Sequence, residues 1–100
     1  MASLLISLFV CNPHFRREVE LLRTWHAVCW VESGGDPYTK PGDGGRAVGI
    51  GQIHTVMVDD CNRIIGRPQW RYTDRRDPAK SYEMFRTYAL HYWPRGGPEQ

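Results

Sequence analysis

The stretch from Asn12 to Gly35 constrains this chain more than any other. Asn12-Pro13 reads as a helix start, because an Asn side chain caps free amides and Pro suits the first turn. Phe15, Val19, Leu22, His26 and Cys29 then recur at helical spacing along one face. Leu21, Trp25, Val28 and Trp30 widen that stripe until the last turns are apolar on nearly every side. Such a pattern predicts a helix that begins in solvent and ends inside a core. It should run to about Glu32 and stop at Gly34-Gly35, where glycine takes the left-handed closing conformation.

The remainder also reads as mainly α. A glycine-rich, charged loop follows from Ser33 to about Arg46, with Pro37 and Pro41 opposing regular structure. Ala47 to Ile53 alternates branched apolar residues with glycine and reads as a short strand or a tight loop. Met57, Cys61, Ile64 and Ile65 share one helical face, with Thr55 as the expected cap and Gly66 and Pro68 as the stop. Asp77-Pro78 repeats the cap-then-proline start, and a last helix carries Phe85, Tyr88, Ala89 and Tyr92 until Pro94.

The chain has 100 residues, enough for one small domain that buries roughly two-thirds of its unfolded surface. We divide it into an apolar N-terminal segment, 1–12, and a helical domain, 13–100. Met1 to Cys11 is too short to cross a membrane and has no basic start, so a packed first segment is expected, with an export signal as the alternative. Thirteen basic against eleven acidic residues give a net charge of +2, compatible with weak attraction to an anionic polymer. Arg67, Arg71, Arg75 and Arg76 lie among Trp70 and Tyr72, an arrangement able to stack on nucleic-acid bases. Asp74 and Asp77 interrupt it, so a solvated loop without a nucleic-acid partner is the expectation. Cys11, Cys29 and Cys61 have no metal spacing, and an odd count argues against a disulfide framework, with a Cys29–Cys61 contact allowed if their helices pack. His14, His26, His54 and His91 form no ligand set, so neither metal nor cofactor is expected.

Glu32 is the residue with chemistry to offer. On a helical wheel it falls beside Trp25, Val28 and Cys29, where lost hydration disfavours an ionised carboxylate. The negative end of the helix dipole acts in the same direction. A carboxylic acid that keeps its proton near neutrality can donate it to a glycosidic oxygen as the bond breaks.

Glu32-Ser33-Gly34-Gly35-Asp36-Pro37, followed after a short loop by Gly49-Ile50-Gly51-Gln52-Ile53, resembles the paired signature of the soluble lytic transglycosylases and goose-type lysozymes. The resemblance covers roughly Leu22 to Tyr92. It implies a small lysozyme-like helical domain that cleaves bacterial peptidoglycan between N-acetylmuramic acid and N-acetylglucosamine. By position, Glu32 matches the catalytic acid, which in transglycosylases then serves as base. Ser33 matches a serine that orients substrate or Glu, and Gly49 and Gln52 match the groove segment. Tyr88 matches a position where the family often carries an aromatic near the site.

Paired-carboxylate glycosidases need a second acid about 5 to 10 Å from the first. Asp36 and Asp43 are the nearby choices, and both sit in a loop whose composition suits turn-making. In the transglycosylases that this chain resembles, a single Glu suffices, because the substrate's N-acetyl group and 6-hydroxyl do the rest. Transglycosylation is therefore the favoured expectation, with hydrolysis using Asp43 as base kept open. The family's pattern continues past the equivalent of Tyr92 with an aromatic-rich segment. The chain is accordingly expected to be truncated, or completed by another polypeptide or larger assembly. A peptidoglycan-binding or structural virion component of little activity is thus an alternative, and a small nucleic-acid-binding module a more remote one. A wall-cleaving domain without a convincing export signal suggests, by association, a phage or prophage product or part of a secretion system, acting at the bacterial cell wall.

Overall fold

A computed structural model describes residues 12–93, and the expectations for 1–11 and for Pro94 lie outside them. Among the described residues there are three helices: α1 (Pro13–Ser33), α2 (Thr55–Ile65) and α3 (Pro78–Tyr92). Two short 3-10 turns, Asp43–Gly45 and Tyr72–Arg76, lie in the connections. The architecture is mainly α, as the patterning predicts. The 47–53 stretch is a tight loop, carrying isolated antiparallel bridges Gly42–Ala47 and Val48–Ile53.

Local chemistry explains the boundaries. The Asn12 side chain accepts from the His14 and Phe15 amides, and Asp77 does the same for Ala79 and Lys80. Each cap is followed by proline, whose missing N–H costs nothing in a first turn. Gly34 and Gly66 close α1 and α2 with φ of 65° and 78°, left-handed values that glycine adopts without a Cβ clash. Thr55 proves to be the first helical residue rather than the cap. His54 stands at the cap position without a side-chain hydrogen bond, because α2 starts directly from the Val48–Ile53 bridge.

The core lies where α3 meets the other two helices. Ile53, Val58, Cys61, Trp70 and Met84 form one buried cluster; Leu21, Phe85 and Ala89 form a second. Trp25 packs against both, its ring 5.1 Å from Phe85 and 6.2 Å from Tyr82. Asn62 holds Trp70 in place by a reciprocal pair of 2.9 Å bonds to its backbone N–H and carbonyl. Between α1 and α3, Arg86 Nε lies 2.7 Å from Glu18 Oε1. Cys29 and Cys61 are buried and unbridged, and burial pushes both thiols up to about 11. At that value they remain protonated near neutrality, inert small apolar groups rather than nucleophiles.

A second expectation fails. The last turns of α1 are not enclosed: Trp30 is 70% and Val31 80% exposed. Among the described residues, α1 is covered on one side only, by α3 and the 47–53 loop. An apolar stripe on the remaining side therefore stays open. No described helix is long and apolar enough to cross a membrane.

A polar cluster ties α2 to the end of α3. The Tyr92 hydroxyl donates to Asp60 Oδ2 at 2.6 Å, and Arg63 also bonds the Asp60 carboxylate. These donors, Tyr92 first, hold the Asp60 carboxyl below the ordinary carboxylate range. A depressed folded-state value means stabilisation that is present above the unfolded value and fades as pH falls through the folded one. Unfolding midpoints measured in urea should therefore drop on acidification below about pH 4, and Asp60→Asn should flatten that acid limb. An unchanged slope in the variant would contradict this.

Candidate functional site

The site is built where α1 ends on the 47–53 loop. The Gly34 N–H bonds Trp30 O at 3.0 Å, and the Gly35 N–H bonds Cys29 O at 3.1 Å. The Ser33 hydroxyl lies 3.0 Å from Cys29 O and 2.7 Å from Ile50 O. Its single proton is held between a carbonyl of its own helix and one from the facing loop. The two sequence motifs, Glu-Ser and Gly-x-Gly-Gln, are thereby joined by a direct hydrogen bond.

The loop itself is two reversals in succession. Gly42 and Ala47 exchange bonds of 2.8 and 3.0 Å; Val48 and Ile53 exchange bonds of 3.1 and 3.0 Å. Within the second, the Gln52 N–H bonds Gly49 O at 3.0 Å and Gln52 Nε2 bonds the same oxygen at 3.1 Å. Gln52 Oε1 presses against Gly42, where a Cβ would overlap it. The Gln52 side chain is thus half-buried and turned onto its own loop, which leaves its amide bracing backbone.

Glycine is required here by close approach. Gly49 has φ of 86°, and a Cβ there would run into the Arg75 carbonyl; a Cβ on Gly51 would run into the Trp25 indole. The loop is therefore seated between α1 on one side and the 72–76 turn on the other. Arg75 fastens the second contact, with Nη1 donating at 2.9 Å to both Arg46 O and Ile53 O and Nε at 2.8 Å to Tyr72 O. Burial lowers its guanidinium from the ordinary value, with neighbouring Arg76 adding to the effect. Gly51, Trp25 and Arg75 were not singled out for the site from sequence. The repeated glycine is the one signal that pointed to a close approach, and nothing near Arg75 marks it among four similar arginines.

Two non-glycine residues among the described ones have positive φ: Asp43 at 51° and Gln52 at 49°. Both belong to this loop, and both were picked out from sequence. Left-handed backbone costs an ordinary residue roughly 1–2 kcal/mol, less for Asp, so the paired bridges must hold each in place. Asp43 Oδ2 lies 3.5 Å from His54 Nε2, in an exposed pair.

Glu32 itself is exposed and makes no hydrogen bond or ion pair with any described residue. The expectation that apolar neighbours enclose it is corrected. At 100° per residue Glu32 continues the buried line of Leu21, Trp25 and Val28. It stands one turn beyond the part of that line that α3 and the loop cover. Tyr88 is half-buried in α3, packed on the cluster that contains Ile53, with its ring 4.6 Å from Tyr92. No hydrogen bond among the described residues joins it to Glu32, Ser33 or the loop. The structure thus brings Ser33, Gly49 and Gln52 together, sets Glu32 beside them, and uses Tyr88 in the core. No group of three or more potential metal ligands occurs among the described residues.

Comparison with family models, with curated proteins and with solved structures finds no match.

Gly49→Ala should destabilise the domain by at least about 3 kcal/mol, since strain at positive φ and overlap with Arg75 O add. Gly44→Ala, at φ of 66° in open space, should cost no more than about 2 kcal/mol. Equal losses for the two in chemical denaturation would show that the loop does not need its contact with Arg75.

Proposed function

We propose that this domain cleaves the glycan strand of bacterial peptidoglycan between N-acetylmuramic acid and N-acetylglucosamine by lytic transglycosylation. The reading rests on the resemblance of the paired motifs, and the observation that carries it furthest is the Ser33 Oγ to Ile50 O bond of 2.7 Å. That bond makes one surface of two segments separated in sequence, with a free carboxyl at its edge.

In this reading Glu32 protonates the glycosidic oxygen as the bond to the muramic acid anomeric carbon breaks. The substrate's N-acetyl oxygen stabilises the cationic carbon. The 6-hydroxyl of the same sugar then attacks that carbon and returns its proton to the Glu32 carboxylate, closing a 1,6-anhydro ring. Glu32 needs the sugar strand itself to exclude water, because the described residues leave it open. Its freedom from any hydrogen bond or ion pair among the described residues leaves the carboxyl available to the glycosidic oxygen. Ser33 fixes the backbone that carries Glu32, and Gly49 and Gln52 shape the loop beside it.

Two other readings have their own observation. The openness of Glu32 favours a peptidoglycan-binding or virion structural component that uses the same surface with little turnover. The Asp43–His54 pair favours a hydrolase in which Asp43 activates water. Digestion of purified sacculi, with muropeptides resolved by mass, separates all three. Anhydro products that fall by about a hundredfold or more in Glu32→Gln support the proposal, a loss typical for a general acid. Reducing ends that depend on Asp43 support hydrolysis. Equal and negligible product from both proteins, with retained wall binding, supports the structural reading.

A further inference from the structure

On the side of α1 turned away from α3, two adjoining shallow grooves follow the helix, one passing Phe15 and Val19, the next Leu22 and His26. Among the described residues both are lined by α1 alone, so each has a single wall. Leu22 is 51% exposed there. Arg16, Glu20 and Arg23 edge the grooves with mixed charge. A strongly anionic or cationic partner gains little from such a rim, whereas an uncharged apolar one removes the stripe from water.

An occupant of that chemistry is joined to α1 itself. Met1 to Cys11 contains Leu4, Leu5, Ile6, Leu8, Phe9 and Val10 and no charged side chain. Asn12 has extended backbone, φ −79° and ψ 118°, and a residue that precedes proline avoids helical values, so the axis of α1 is not carried backward through it. Eleven residues reach about 16 Å even in helical form, against about 10 Å along the axis from Phe15 to Leu22. So short a tether holds the segment at roughly millimolar effective concentration, far above that of a second copy in dilute solution.

We propose that residues 1–11 fold back from Asn12 and furnish the missing wall, laying their apolar side chains along Phe15, Val19 and Leu22. The open side of α1 is then an intramolecular docking surface. This goes beyond the glycan reading and does not depend on it.

Thiol labelling of the full chain tests it. Leu22→Cys is combined with Cys11→Ser, since Cys29 and Cys61 are buried and react slowly. Alkylation by a maleimide is followed by mass, with the segment either native or carrying Leu4→Ser, Leu5→Ser and Leu8→Ser. The new thiol should react at least about tenfold more slowly beside the native segment, as docking for about nine-tenths of the time or more requires. Ala27→Cys, exposed and about 140° round the helix from Leu22, should react equally fast in both chains. Equal rates at Leu22→Cys would overturn the proposal. Protection that strengthens with protein concentration would also overturn it, by putting a second copy in the groove. If circular dichroism shows that the serine segment prevents folding, a benzophenone attached at Arg23→Cys beside the native segment decides. Cross-links to residues 1–11 of the same chain support the docking; cross-links only between chains, or none to that segment, overturn it.

Discussion

The Trp25 indole seated over Gly51 is the contact on which the rest of the domain depends. Trp25 is shared by both buried clusters, so it is where α1 is committed to α3. The same ring lies where a side chain on Gly51 would otherwise be, so it also positions the loop that faces the end of α1. Aromatic rings bury more apolar area than any other side chain, and in a domain of this size one such ring is a large share of the total. Core packing and site geometry thus share one side chain.

The loop around Gly49 is held mainly by backbone groups and by side chains turned inward. The Gln52 amide, the Arg75 guanidinium and the Ser33 hydroxyl are all spent on carbonyls of the same region. Buried carbonyls need such donors, because an unpaired one costs more than a hydrogen bond returns. The groups left exposed around it are the Glu32 carboxyl and the Asp43–His54 pair.

Helix ends were legible in the sequence because their chemistry is local. Asn12-Pro13, Asp77-Pro78, Gly34 and Gly66 each act through atoms within a few residues. The environment of Glu32 was not legible for the opposite reason. Its azimuth follows from the helical period, but its exposure depends on how far α3 and the loop extend along α1, which no spacing encodes. Gln52 misled in a similar way. The residue was rightly placed in the loop, but a side chain's direction depends on φ, and a left-handed value for glutamine is not expected from sequence. Glycine at 49 and 51 signalled close approach without saying to what, since Trp25 and Arg75 come from distant stretches.

The left-handed backbone at Asp43 and Gln52 has a consequence for how this protein can change. At Asp43 glycine would relieve the backbone at the expense of an exposed side chain, whereas at Gln52 it would also remove the amide that braces Gly49 O, so a relaxed backbone and an intact surface compete only at Asp43. Selection for stability alone would therefore favour glycine at Asp43 and resist it at Gln52. In an ensemble of natural variants, position 43 should therefore vary toward glycine more readily than position 52.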